Sequence, residues 1–114
     1  MTQHDDRTSL HHMHDHAQEA ISICSVNTAD ELAQNRMLCL ALTRLVAIVG
    51  EAANRVSQKT RARTPEIPWR VVITMRNRLI HAYDEIDFEI LLKTIRDDLP
   101  PLVDQLKIAL SRIK

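Results

Sequence analysis

Apolar residues recur at helical spacing in four stretches of this chain. Leu10, Met13, Ala17, Ile21 and Cys24 follow one another at steps of three, four, four and three, one apolar stripe on a helix. The second stretch opens with Thr28-Ala29-Asp30-Glu31, a capping-box pattern. It continues through Leu32, Cys39, Leu42, Val46, Val49, Ala53 and Val56. From Met37 to Val49 it is apolar nearly all round, which predicts the most buried helix. Gly50 lies inside it at a cost in helix stability, and so predicts a close approach by a neighbouring helix. Gln58 to Pro68 holds Pro65 and Pro68, is rich in Arg and Thr, and reads as a basic loop. A third helix starts near Pro68, with Val72, Met75, Leu79 and Ala82 as its core stripe. Asp84 or Asp87 is placed to cap a fourth. There Leu91, Ile95, Leu99, Leu102, Leu106, Leu110 and Ile113 hold register across Pro100 and Pro101, as a kinked helix or as two pieces.

The expected fold is therefore all-α, an up-down bundle of four to five helices formed as one domain over residues 1–114, with 1–8 as a flexible N-terminus. Composition agrees. Of 114 residues only one is Gly and 3% are aromatic, so the core must be Leu, Ile, Val, Ala and Met. That favours helices packed on helices. Cys24 and Cys39 sit among apolar residues at helical spacing and read as small buried hydrophobes. No N-terminal apolar run resembles a signal peptide. The strongest apolar run, Met37 to Gly50, is too short to span a bilayer and contains Arg44. A cytoplasmic protein without a membrane association is expected.

Net charge is zero, but its distribution changes the picture. Met1 to Gln34 carries six acids and one Arg, and Asp84 to Asp98 six acids and two bases. Arg55 to Arg78 carries seven basic residues and one acid, Glu66. Such a middle can present a local anion-binding face or simply a solvated one. Within it, Arg61, Arg63, Arg70 and Arg78, with Arg55 and Lys59, are candidates to track an RNA backbone.

Chemistry concentrates in Met75-Arg76-Asn77-Arg78-Leu79-Ile80-His81-Ala82-Tyr83. Arg brings a permanent charge and a planar fork suited to phosphate. His moves protons near neutral pH. Tyr offers a hydroxyl on a rigid apolar body. Together they could handle a phosphodiester without a metal. On an ideal helix Arg76 and Tyr83 share one face, Asn77 and His81 another, and Arg76 and His81 stand about 140° apart. Either the helix distorts near His81 or two copies complete the site across a symmetric dimer. A purely structural role is open too: Arg76 or Arg78 paired with Asp84, and His81 placed for the helix dipole.

The segment Arg76 to Tyr83 resembles the Arg-x4-His-x-Tyr signature of the HEPN superfamily. Ile48-Val49-Gly50-Glu51-Ala52 resembles the Gly-Glu-Ala step of its HepT-like branch, and Ile67-Pro68-Trp69 the Pro-Trp lead-in to the motif helix. Asp87 and Asp98-Leu99-Pro100 fit the tail that follows. The likeness runs roughly from Leu10 to Leu110. It implies an all-α, dimeric RNase toxin held by a minimal nucleotidyltransferase antitoxin. It also implies Arg76 and His81 as catalytic residues, Asn77 as their support, and Tyr83 as the residue that the partner modifies with adenylate. The implied reaction is metal-independent cleavage of RNA by its own 2′-hydroxyl, with no cofactor. The competing function is a non-catalytic module that docks a nucleotidyltransferase or a nucleotide; the intact Arg76, His81 and Tyr83 favour the enzyme.

Trp69 and the N-terminal histidines are two further features with candidate chemistry. Trp69 could stack a base but more often such a residue packs at the core edge. His11, His12, His14 and His16, with His4 nearby, could share a metal between His12 and His16, yet no Cys or Glu at ligand spacing completes a site. A polar helix face is the simpler account.

Overall fold

The computed structural model describes residues 5–80 and 85–113. Three long helices form the frame: α1 (Asp6–Ile23), α3 (Arg36–Arg55) and α8 (Leu99–Arg112). Shorter ones pack around them: α2 (Ala29–Ala33), α4 (Gln58–Arg63), α5 (Trp69–Ile73), α6 (Met75–Leu79) and α7 (Phe88–Lys93). The fold is all-α, as the periodicity predicts, and no strand occurs among the described residues.

Helix α1 packs against both α3 and α8. Its stripe is buried at Leu10, Met13 and Ala17, while Ile21 and Cys24 are partly buried at the edge. The helix begins at Asp6, within the stretch expected to be flexible, because Asp5 caps it by accepting from the Arg7 amide at 2.9 Å. Asp6 also ties α1 to α4. Its carboxylate accepts from the Ser57 amide at 3.0 Å, the Ser57 hydroxyl at 2.5 Å and the Thr60 hydroxyl at 2.6 Å. Arg7 donates to the carbonyls of Leu110 and Ile113, which end α8.

The second apolar stretch is two helices rather than one. Thr28 caps α2 as the capping box predicts, accepting from the Glu31 amide at 3.1 Å. Asn35 then starts a new helix by accepting from the Leu38 amide at 3.1 Å. An Asn side chain that bonds the backbone ahead of it competes with helix continuation. Helix α3 is central, and half of its most apolar window is buried in the bundle. It is not buried all round: Met37 is 83% and Leu40 51% exposed.

The basic stretch predicted as a loop contains α4. Ser57 caps it, and Asp6 holds that cap from across the bundle. At the other end, Asp87 caps α7 by accepting from the Ile90 amide at 3.0 Å. The chain then runs through a π-helical turn, Thr94–Asp98, into α8. The turn lies just before Pro100 and Pro101, which have no N–H to give. The Leu99 amide reaches back to Thr94 O, five residues away. Such a turn absorbs the prolines without breaking the helical path, and Leu99, Leu102 and Leu106 stay buried.

Candidate active site

The third predicted helix is also cut, and the cut shapes the site. Pro68 precedes α5, and α5 stops at Thr74, whose hydroxyl donates to the Arg70 carbonyl at 2.8 Å. Side-chain bonding to the carbonyl four residues back disturbs a helix. The break lies against Gly50. A Cβ there would come within 3.2 Å of Val72 O and 3.4 Å of Ile73 O. Gly50 therefore serves the close approach that its place in an apolar helix predicts.

Helix α6 then runs for five residues. Met75 and Leu79, one turn apart, are buried and fix its inner face. Arg76 and Asn77 are consequently exposed. They line a hollow of about 150 Å³ together with Gly50, Glu51 and Asn54 of α3. The structure so brings the Gly-Glu step and the first two motif residues to one place. Arg78 points elsewhere, with its guanidinium 3.8 Å from the Asp98 carboxylate.

The helix ends before the rest of the motif. Ile80 is extended (φ −108°, ψ 122°) and forms an antiparallel bridge with Ile86, while the Asp87 amide donates to Leu79 O at 2.7 Å. The 140° separation that an unbroken helix would impose on Arg76 and His81 therefore does not apply. His81, Ala82, Tyr83 and Asp84 lie outside the described residues. So do the roles of His81 and Tyr83, the pairing of Asp84 with an arginine, the place of Ala82 in the stripe and the alternative cap at Asp84. The residues on both sides of them are joined to each other by the Ile80–Ile86 bridge.

A larger hollow, about 570 Å³, adjoins the first, and Asn54 and Ile73 line both. Arg61, Arg70, Trp69, Thr74 and Gln58 complete its walls. Two of the six basic candidates, Arg61 and Arg70, thus share one surface with Arg76. They differ in freedom. Arg61 donates to the carbonyls of Val56 at 3.0 Å, Asn54 at 3.1 Å and Ala53 at 3.4 Å, closing the C-terminal end of α3. Arg70 is exposed and has no side-chain partner among the described residues. Arg63 is exposed on α4 and lines neither hollow.

Asn54, Gln58 and Thr74 were not singled out by sequence. A signal existed for Asn54, which sits one turn after Gly50 on the same helix. Trp69 packs at the core edge, its indole N–H donating to Thr64 O at 3.2 Å. Among the N-terminal histidines, the His12 and His16 rings meet edge-on at 5.9 Å, and His16 Nδ1 is 2.7 Å from His12 O. No group of three or more His, Cys, Asp or Glu that could hold a metal occurs among the described residues. The His14 hydrogen bond at 2.9 Å holds the Asp15 carboxyl below the usual carboxylate range, against an opposing effect of burial.

An all-α bundle that displays an Arg-Asn pair at a helix end, four residues before a His-x-Tyr, is a HEPN-type domain. The family model described as "Ribonuclease HepT-like" matches residues 13–109, and the chain belongs to that family. Among relatives, the Methanocaldococcus jannaschii protein named "Putative RNase MJ1380" is 29% identical over 95% of this chain and 99% of its own length. The Thermococcus cleftensis protein named "Probable ribonuclease HepT" is 42% identical over 54% of this chain and 56% of its own. No solved structure matches the chain.

Proposed function

We propose that this protein is a metal-independent endoribonuclease, the toxin of a toxin–antitoxin module that a minimal nucleotidyltransferase neutralises by modifying Tyr83. The observation that carries this reading is the placement of Arg76 and Asn77. Both are exposed over Gly50 and Glu51, on a helix that ends two residues before His81, inside a family match to HepT-like ribonucleases.

In the proposed reaction the 2′-oxygen of the RNA bonds to phosphorus as the bond to the 5′-oxygen breaks. A proton leaves the 2′-hydroxyl and another reaches the 5′-oxygen, giving a 2′,3′-cyclic phosphate and a free 5′-hydroxyl. His81 takes or gives one of these protons and solvent handles the other, a contribution on the order of 10²–10⁴-fold. Arg76 holds the phosphate oxygens and stabilises the charge that builds on them. Asn77 orients either group. Arg70 and Arg63, both exposed, hold the flanking backbone, with weaker shares from Arg61 and Arg78, whose guanidinium groups are already engaged. Adenylate on Tyr83 would add a bulky anion to the motif, of opposite charge to Arg76. Exposed Met37 and Leu40 on α3 support a homodimer as the working form.

Expression without the nucleotidyltransferase tests the toxin reading. Wild type is expected to arrest growth, and His81→Ala to be tolerated. Co-expression with the partner should restore growth and add the mass of adenylate at Tyr83. Equal tolerance of wild type and His81→Ala would overturn the toxin assignment.

A further inference from the structure

The 570 Å³ hollow beside Arg76 has features that neither the motif nor the bundle requires. Its volume lies within the roughly 300–1,000 Å³ typical of sites that hold small ligands. Its back wall is rigid. The Trp69 ring is fixed by its bond to Thr64 O, and the Arg61 guanidinium lies 5.8 Å from the ring centroid. Arg61 is itself anchored on three carbonyls at the end of α3. A wall so held costs little to organise on binding.

The front of the hollow is chemically open. The amide side chains of Asn54 and Gln58 are exposed and make no hydrogen bond among the described residues. Each offers a donor and an acceptor side by side, the pattern that matches a base edge. Arg70 stands on the same rim with its fork unengaged among the described residues, suited to a phosphate. Asn54 and Ile73 also line the Arg76–Asn77 hollow, so the two hollows lie side by side.

We propose that this hollow is a nucleotide subsite for single-stranded RNA, holding the residue next to the scissile phosphate. Arg70 takes its phosphate, and Asn54 and Gln58 read its base against the Trp69 wall. The inference rests on the ribonuclease reading. It makes Asn54 and Gln58 specificity-determining residues of that reaction.

Trp69 is the protein's only tryptophan, so its fluorescence reports on this hollow alone. The full-length His81→Ala protein, which retains Arg76, is titrated with a single-stranded RNA oligonucleotide while anisotropy follows total binding. Binding is expected to change Trp69 emission, and adding Asn54→Ala with Gln58→Ala to weaken it roughly tenfold. With His81 restored, the same pair is expected to raise KM by a similar factor with a smaller change in kcat, and to alter the preferred cleavage site. Both positions are exposed, and a thermal melt verifies folding; Gln58→Glu, which sets a negative charge at the rim, is the second variant and should weaken binding too. Saturation by anisotropy without a change in Trp69 emission overturns the subsite. Unchanged KM and cleavage site in an enzyme that still cuts RNA overturns it while the ribonuclease reading stands. A wild-type protein that neither binds nor cuts RNA overturns both.

Discussion

A Cβ at position 50 would stand 3.2 Å from the Val72 carbonyl and 3.4 Å from that of Ile73, at the break between α5 and α6. Alanine is worth about 1 kcal/mol more than glycine inside a helix. Here the obstacle is backbone, and overpacking typically costs about 1–3 kcal/mol. Gly50→Ala is therefore expected to lower stability by about 1 kcal/mol in a denaturant melt, and to slow RNA cleavage by displacing Arg76. A more stable, fully active variant would mean that α5 yields freely. The arginines of the motif make a second case. Arg76 and Arg78 look alike in sequence, two residues apart, but Arg78 is paired with Asp98 and Arg76 faces the hollow. Arg78→Ala should cost less than about 1 kcal/mol and leave cleavage within a few-fold. Arg76→Ala should remove roughly 10²–10³ of the rate. The family signature set Arg76 apart as catalytic and left Arg78 as an RNA-backbone candidate; that Arg78 is engaged was not legible, because its partner is an aspartate twenty positions away.

Among the elements, the three long helices were legible because each buries a regular stripe large enough to dominate local preferences. Their interruptions were not. Asn35, Ser57 and Thr74 each redirect the backbone through side-chain hydrogen bonds, and none disturbs the apolar spacing around it. Helix α4 lacks an apolar stripe and owes its start to Ser57 and to Asp6, fifty-one residues earlier in the chain. The π turn was visible only as Pro100 and Pro101. Two caps offer a comparison. Asn35→Ala and Asp87→Ala should each cost about 1 kcal/mol of stability. Asn35 lines neither hollow, whereas Asp87 adjoins the bridge that closes on the motif, its own amide bonded to Leu79 O. Only Asp87→Ala should also reduce cleavage beyond what its stability loss explains, as measured well below the melting temperature. Equal activity in the two variants would separate the bridge from catalysis.

For the whole molecule, the bundle acts as a frame that turns one face of α3 into the floor of the site. Gly50, Glu51 and Asn54 lie under Arg76 and Asn77, and the basic middle of the chain is gathered beside them at Arg61 and Arg70. The family likeness located the motif, and the fold supplies what the motif alone lacks: an exposed arginine, a helix that stops at Leu79, and a hollow next to both. The most direct test of this account is cleavage of single-stranded and structured RNA by the purified, unmodified protein in the presence of EDTA. Wild type is expected to cut and leave 2′,3′-cyclic phosphate ends, and Arg76→Ala and His81→Ala to lose that activity while melting like wild type. No cleavage by a folded protein whose Tyr83 is confirmed unmodified by mass, or cleavage that survives both substitutions, would contradict it.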